Sequence, residues 1–243
     1  MKHMKLQKVP RQVSKLKMII ICCILAVVAF GGVIITLTIM RGNLGYSEAL
    51  ENVNEIWSTK DSVNDFLVTK SEKLDDSAKQ RMDDFNATVE KNRNYLESLS
   101  ASSALKNETI NSKYQDANKR FELLEQVAKA EQGLKKIIDS EEITDDLLKE
   151  LGELNNQYVT DLAKDLQQYQ KTAKDFNTKF AEPKNVKDDE IQAAKQELDA
   201  QAKALNEKYA TVEFEDMFEF SVGEVMQFYD RIEELRTILN EKI

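Results

Sequence analysis

The apolar positions of this chain follow two different rules. From Met18 to Met40 the sequence reads MIIICCILAVVAFGGVIITLTIM, 23 residues without a charge. As a helix rising about 1.5 Å per residue it spans roughly 35 Å, enough for a hydrocarbon core of about 30 Å. The run is too long, and lacks the small-residue ending, for a cleaved secretory signal. It predicts an uncleaved membrane anchor. From Ser47 onward the apolar residues instead recur every three or four positions, the period of helices with one buried face.

Four long helical patterns and a shorter last one follow. The first, Ser47 to about Leu99, places Leu50, Val53, Trp57, Leu67, Leu74, Ala78, Phe85, Leu96 and Leu99 on one seam, interrupted there by Lys60, Asn64, Ser71, Arg81 and Asn92. It reads as one long helix with a degraded heptad. Ser100 to Ala104 reads as a loop or a loose corner. The second pattern, Lys106 to Asp139, carries Ile110, Tyr114, Ala117, Phe121, Leu124, Ala128, Leu134 and Ile138. In the third, Leu147, Leu151, Leu154, Tyr158, Leu162, Leu166, Tyr169, Ala173, Phe176 and Phe180 repeat until Pro183, with Thr144 suited to the N-cap and Ile143 placed to staple onto Leu148. The fourth runs from about Asp188 through Ile191, Ala194, Leu198, Ala202 and Leu205 to Tyr209. Ser221 and Glu224 form a capping box for the last helix, with Phe220 and Val225 as its staple.

The predicted fold is therefore all-α: a single N-terminal transmembrane helix followed by an elongated antiparallel, coiled-coil-like bundle of three or four helices. Its expected divisions are a basic tail at 1–17, the span at 18–40, a linker at 41–46 and one helical domain at 47–243. The second and third patterns, similar in length and joined by a short turn, are expected to pack against each other. Seven Gly and two Pro in 243 residues agree with long helices and argue against a turn-rich sandwich or barrel.

Charge adds a direction to this layout. Residues 1–17 hold six basic side chains and no acid, while the chain from Arg41 onward holds 28 basic and 43 acidic residues, a net of −15. The positive-inside rule places the N-terminus in the cytoplasm and the helical domain outside, as in a bacterial single-pass membrane protein. An acidic domain repels nucleic acid, so that class of partner is excluded from expectation. Cys22 and Cys23 fall inside the span, leaving no disulfide framework outside it.

Candidate chemistry is sparse. Beyond residue 40 there is neither His nor Cys, which removes Ser/His and Cys/His nucleophilic pairs and the usual zinc sites from consideration. No Gly-rich phosphate loop occurs, and no calcium-loop spacing. The acidic pairs Asp75/Asp76, Asp83/Asp84, Glu141/Glu142, Asp145/Asp146, Asp188/Asp189 and Glu233/Glu234 are adjacent residues that diverge by about 100° on a helix. Asn86-Ala87-Thr88 and Asn107-Glu108-Thr109 match glycosylation acceptors. No catalytic, metal-binding or cofactor-binding residue is therefore assigned.

Two features stand above this background. Cys22, Ala26, Ala29, Gly32 and Thr36 make a small-residue stripe on the membrane helix, a surface on which helix backbones approach closely. Phe214, Met217, Phe218, Phe220, Met226, Phe228 and Tyr229 make an aromatic cluster that either closes the bundle or contacts a partner. The expected function is that of a non-enzymatic, membrane-anchored interaction or scaffolding protein. Its expected partners are the bilayer and a protein, including a second copy of itself, with no cofactor and no small-molecule ligand indicated. The alternative is an extracytoplasmic sensory bundle that binds a ligand between helices and signals through a membrane partner.

Overall fold

The structure, a computed structural model, describes residues 45–68, 75–181, 187–210 and 213–243. The chain divides into two units, Met1–Asn43 and Leu44–Ile243, and the described residues all belong to the second. The expected membrane helix and its stripe Cys22, Ala26, Ala29, Gly32 and Thr36 lie outside the described residues. Among the described residues no helix is long and apolar enough to cross a membrane.

The described part is all helical, with no strand. Helix α1 (Tyr46–Trp57) is followed at once by α2 (Lys60–Val68), and the chain then reverses into α3 (Asp76–Ser100). A 3-10 turn at Ser103–Lys106 leads into α4 (Glu108–Asp139), the longest described helix. The last helix, α9 (Val222–Asn240), returns to complete a four-helix bundle. Two contacts along each seam give its direction: Glu55 with Lys91 and Phe66 with Phe85, Arg93 with Glu125 and Lys79 with Asp139, Asp116 with Arg231 and Phe121 with Phe228, and Asn54 with Arg236 and Thr59 with Tyr229. Each neighbour thus runs antiparallel to the next in the order α1–α3–α4–α9, an up-down-up-down arrangement.

The core of this bundle is built from Val53 and Ile56 of α1, Leu96 and Leu99 of α3, Leu124 of α4, and Phe228, Tyr229 and Ile232 of α9. Phe121 meets Phe228 at 5.1 Å between ring centroids, and Phe66 stacks on Phe85 at 4.1 Å. In the middle of this apolar core sits one polar cluster. The amide nitrogen of Asn92 donates to Thr59 Oγ1 at 2.9 Å and to the Tyr229 hydroxyl at 3.2 Å. Thr59 donates to the Ile56 carbonyl at 2.7 Å, so the Tyr229 hydroxyl, 2.8 Å away, donates to Thr59.

Two expected helices are broken, each for a local reason. The long first pattern ends at Trp57, where Ser58 and Thr59 bond back to the carbonyls of Glu55 and Ile56. It restarts as α2, and a third time at α3, where Asp75 caps the backbone N–H groups of Ser77 and Ala78 at 3.0 Å. Leu74 and Ser71, which the pattern puts on the same seam, lie outside the described residues. The third pattern divides into α5 (Asp145–Gly152) and α6 (Gln157–Phe180). Between them Asn155 takes φ 55°, the left-handed region that Asn tolerates, and Asn156 caps α6 by accepting from Val159 N–H at 3.0 Å. The caps expected at Thr144 and at Ser221 with Glu224 are formed.

The expected pairing of the second and third patterns along their length is overturned. Helix α4 packs along α3 and α9, and α6 meets it only near its start. Residues 140–221 form an insertion between α4 and α9, seated on a second core of Ala78 and Met82 from α3, Ala130 and Leu134 from α4, and Leu151, Val159 and Leu162. Gly133 makes this seat possible, because a Cβ there would lie 2.6 Å from Leu154 Cδ1 and 2.9 Å from Val159 Cγ1.

Two stability measurements follow, both read from urea unfolding of the full chain by the fluorescence of Trp57, its one tryptophan. Gly133→Ala is expected to lose about 1–2 kcal/mol net. Overpacking against the fully buried, β-branched Val159 outweighs the gain in helix propensity of up to about 1 kcal/mol. Tyr229→Phe is expected to lose about 1–2 kcal/mol, since it leaves Thr59 and Asn92 short of a partner in a dry core. The double variant with Thr59→Val should lose less than the sum of the single changes.

Candidate functional site

Among the described residues no group of three or more acidic, His or Cys side chains is placed to hold a metal ion. The adjacent carboxylates go separate ways: Glu233 pairs with Arg236 at 3.1 Å, while Glu234 pairs with Lys113 and Arg231. Asp83 pairs with Lys135 at 2.9 Å and Asp145 accepts from Gln167 at 2.9 Å. The two glycosylation triplets sit within helical structure. Asn107 spends its side-chain oxygen on the N–H groups of Thr109 and Ile110 as the cap of α4, and the Asn86 oxygen is buried.

The aromatic cluster is divided between roles. Phe228 and Tyr229 are fully buried in the bundle core, and Met217, at the end of the short helix α8 (Phe214–Met217), belongs to the second core. Phe214, Phe218, Phe220 and Met226 are half-buried against the bundle. Phe214 and Phe218 meet at 4.8 Å, and Phe218 and Phe220 stack at 5.0 Å. Asn156 ties this segment down, since its amide donates to the Met217 carbonyl at 3.0 Å while its oxygen caps α6. One buried side chain therefore fixes both the start of α6 and the return of the chain toward α9.

Between these two fixed points the chain makes an arm. Helix α6 has its buried residues, Val159, Leu162 and Ala163, in its first two turns, and α7 (Asp188–Tyr209) has none in 22 residues. The two helices run antiparallel and hold each other at the base of the arm. Tyr209 donates to Asp165 Oδ2 at 2.8 Å, Lys208 pairs with the same oxygen at 2.8 Å, and the Tyr158 and Tyr209 rings meet edge to face at 5.6 Å. The hydrogen bond from Lys208 holds the Asp165 carboxyl below its ordinary range, and the Lys208 ammonium is held above its own. On its other side α6 is clamped to the segment before α5: Ile143 N–H donates to Gln170 at 2.8 Å, and Gln170 donates to the Glu141 carbonyl at 3.2 Å.

Leu166 of α6 still packs against the second core, and farther out Tyr169, Ala173, Phe176 and Phe180 of α6 face a seam with Ile191, Ala194, Leu198 and Leu205 of α7, every one only half-buried. Open grooves flank α6. One of about 270 Å³ lies between α6 and α7 beside Tyr169, Gln201 and Leu205, and one of about 680 Å³ lies between Ala173 and Asn177 of α6 and the segment at Glu141 and Glu142. Sequence periodicity located both helices but assigned them to a packed bundle.

Burial pushes two further groups away from their usual ranges: the Tyr158 hydroxyl up to about 12, and the carboxyl of Glu131 up to about 7. Comparison with protein-family models, curated proteins and solved structures finds no match for this chain.

Glu131, 8% exposed on α4, yields a pH test. Its folded state holds the proton more tightly than the unfolded chain does, so its contribution is intact below its ordinary value of 4.5 and is lost as pH rises toward about 7. Glu131→Gln keeps the shape without the charge. At pH 8 it should raise Tm by about 4–8 °C, for relief of about 2 kcal/mol, and at pH 4 the two proteins should melt together.

Proposed function

We propose that this chain is a non-enzymatic, membrane-anchored interaction protein that presents its helical domain outside the membrane. The α6–α7 arm carries the reading. A 22-residue helix without one buried side chain contributes little to the core on which the fold rests. Ordering so many residues costs of order 1–2 kcal/mol each in backbone entropy, and partial burial along the arm returns little of it. The economical role for such an arm is as a surface for something else to use.

The anchor is supported by the sequence: the uncharged run from Met18 to Met40 follows six basic residues and precedes a domain of net charge −15. The aromatic trio Phe214, Phe218 and Phe220 is a smaller contact surface beside the root of the arm.

The topology is tested with the full chain carrying different epitopes at its two ends, expressed in bacteria and exposed as spheroplasts to protease. Loss of the C-terminal epitope with survival of the N-terminal one is the expected result. Survival of both until the membrane is permeabilised would place the domain in the cytosol and end this reading.

A further inference from the structure

The arm is built as half of a larger bundle. Beyond the root, two helices side by side cover each seam residue from one direction only, which is why Phe176, Ile191 and Leu198 stay half-buried. A pair of helices of this length is marginal in water unless packing covers its apolar stripe. The face left open is roughly 30 Å long and two helices, about 20 Å, wide. That amounts to ~600 Å² on one copy and ~1,200 Å² on two, at the lower edge of a specific interface.

Charge states what covers it. Over its outer turns, residues 171–180, α6 carries Lys171, Lys174 and Lys179 against one acid, a net of +2. The outer turns of α7, residues 188–199, begin Asp188-Asp189-Glu190 and total −4. Within one arm the basic stretch lies beside the acidic one along a single seam. If a second arm packs alongside in the same direction, helices alternate α6, α7, α6, α7 around the new core, and every acidic outer end then has a basic neighbour on both sides. A head-to-tail two-fold would instead set each helix against its own copy, with residues 188–199 against the inner turns of the second α7, where Lys203 and Lys208 outnumber Glu207 by one. The acidic end then has one weakly basic neighbour in place of a second strongly basic one, so the parallel register is the more complementary.

We infer that the α6–α7 arm is a self-association surface on which a second copy of this chain docks its own arm in the same direction, forming a parallel, two-fold four-helix bundle. This deepens the function proposed above by naming the partner, and it rests on that reading for one point: anchors in a common bilayer align the arms and raise their effective concentration.

The test uses the full chain with Cys22→Ala and Cys23→Ala, so that a single introduced cysteine is the only thiol. Ala173→Cys and Ala194→Cys sit on the seam of the arm, and Gln126→Cys sits on the exposed face of α4. In membranes, a bismaleimide reaching about one helix diameter, about 10 Å, should capture dimers at the two arm sites and several-fold less at position 126. Circular dichroism of each variant confirms an unchanged helix content. Capture at position 126 equal to or above that on the arm would overturn the inference, and so would a protein that stays monomeric at all three sites. If protease reaches the domain from outside and no arm site crosslinks, self-association is wrong and the anchored reading stands. If the arm sites crosslink while the domain is sheltered in the cytosol, self-association stands and the placement outside the membrane is wrong.

Discussion

The bundle depends on one buried polar contact among Thr59, Asn92 and Tyr229. Apolar packing alone is permissive: helices with three- and four-residue spacing slide by a turn with modest loss, because one aliphatic side chain fills much the same hole as another. A hydroxyl, an amide and a phenol enclosed together are not permissive, since any shift leaves a donor or acceptor without a partner and without water. Asn92 on α3, Tyr229 on α9 and Thr59 at the α1–α2 break can satisfy one another in a single register. Burial pushes the Tyr229 hydroxyl up to about 12, so it remains a donor at any physiological pH. The same cluster explains why the first helix breaks where it does, because Thr59 reaches it from the turn that interrupts that helix.

Once the bundle register is fixed, the position of the insertion follows. Helix α4 outlasts its partner α9, and its last turns offer Ala130, Gly133 and Leu134 to whatever comes next. At Gly133 the absence of a side chain lets the α5–α6 junction approach directly, and Asn156, capping α6 with one end and holding Met217 with the other, closes the insertion on itself. The fold thus concentrates its specific contacts at the root of the arm and leaves the outer seam under-packed. A rigid root with an under-packed outer seam is the combination expected of a docking element, because the direction of the surface is set before anything binds to it.

Much of this was legible in the sequence, and what was not has identifiable causes. The all-helical class, the span of α4, the fourth pattern at Asp188–Tyr209 and the caps at Thr144 and Ser221 follow from periodicity and end chemistry, which are local. The breaks at Ser58–Thr59, before Asp75 and at Asn155–Asn156 were masked because the apolar spacing continues in phase through them; the polar signals were present but were outvoted by the pattern. Asn92 shows the difficulty best. On a heptad seam it looks like a defect, and it is the centre of the core. Periodicity reports which face is buried, not what a polar residue on that face will meet, since Thr59 lies 33 positions away and Tyr229 lies 137.

The arm was illegible for the opposite reason. Leu162, Leu166, Tyr169 and Phe176 continue one regular stripe, yet the first is buried in the second core, the second packs against it and the others lie on the arm, because burial is decided by which helices lie opposite and not by the stripe itself. Beyond the root of the arm each helix keeps the spacing of a bundle helix with only the other helix to pack against, so its remaining helical neighbours are missing from the single chain. For α6 and α7 the alternation of net charge between the two helices gives that missing neighbour a sign, and the sign is that of the arm itself. Self-complementarity of this kind needs no second gene product to evolve alongside it: any substitution that improves the seam improves it twice, once in each copy.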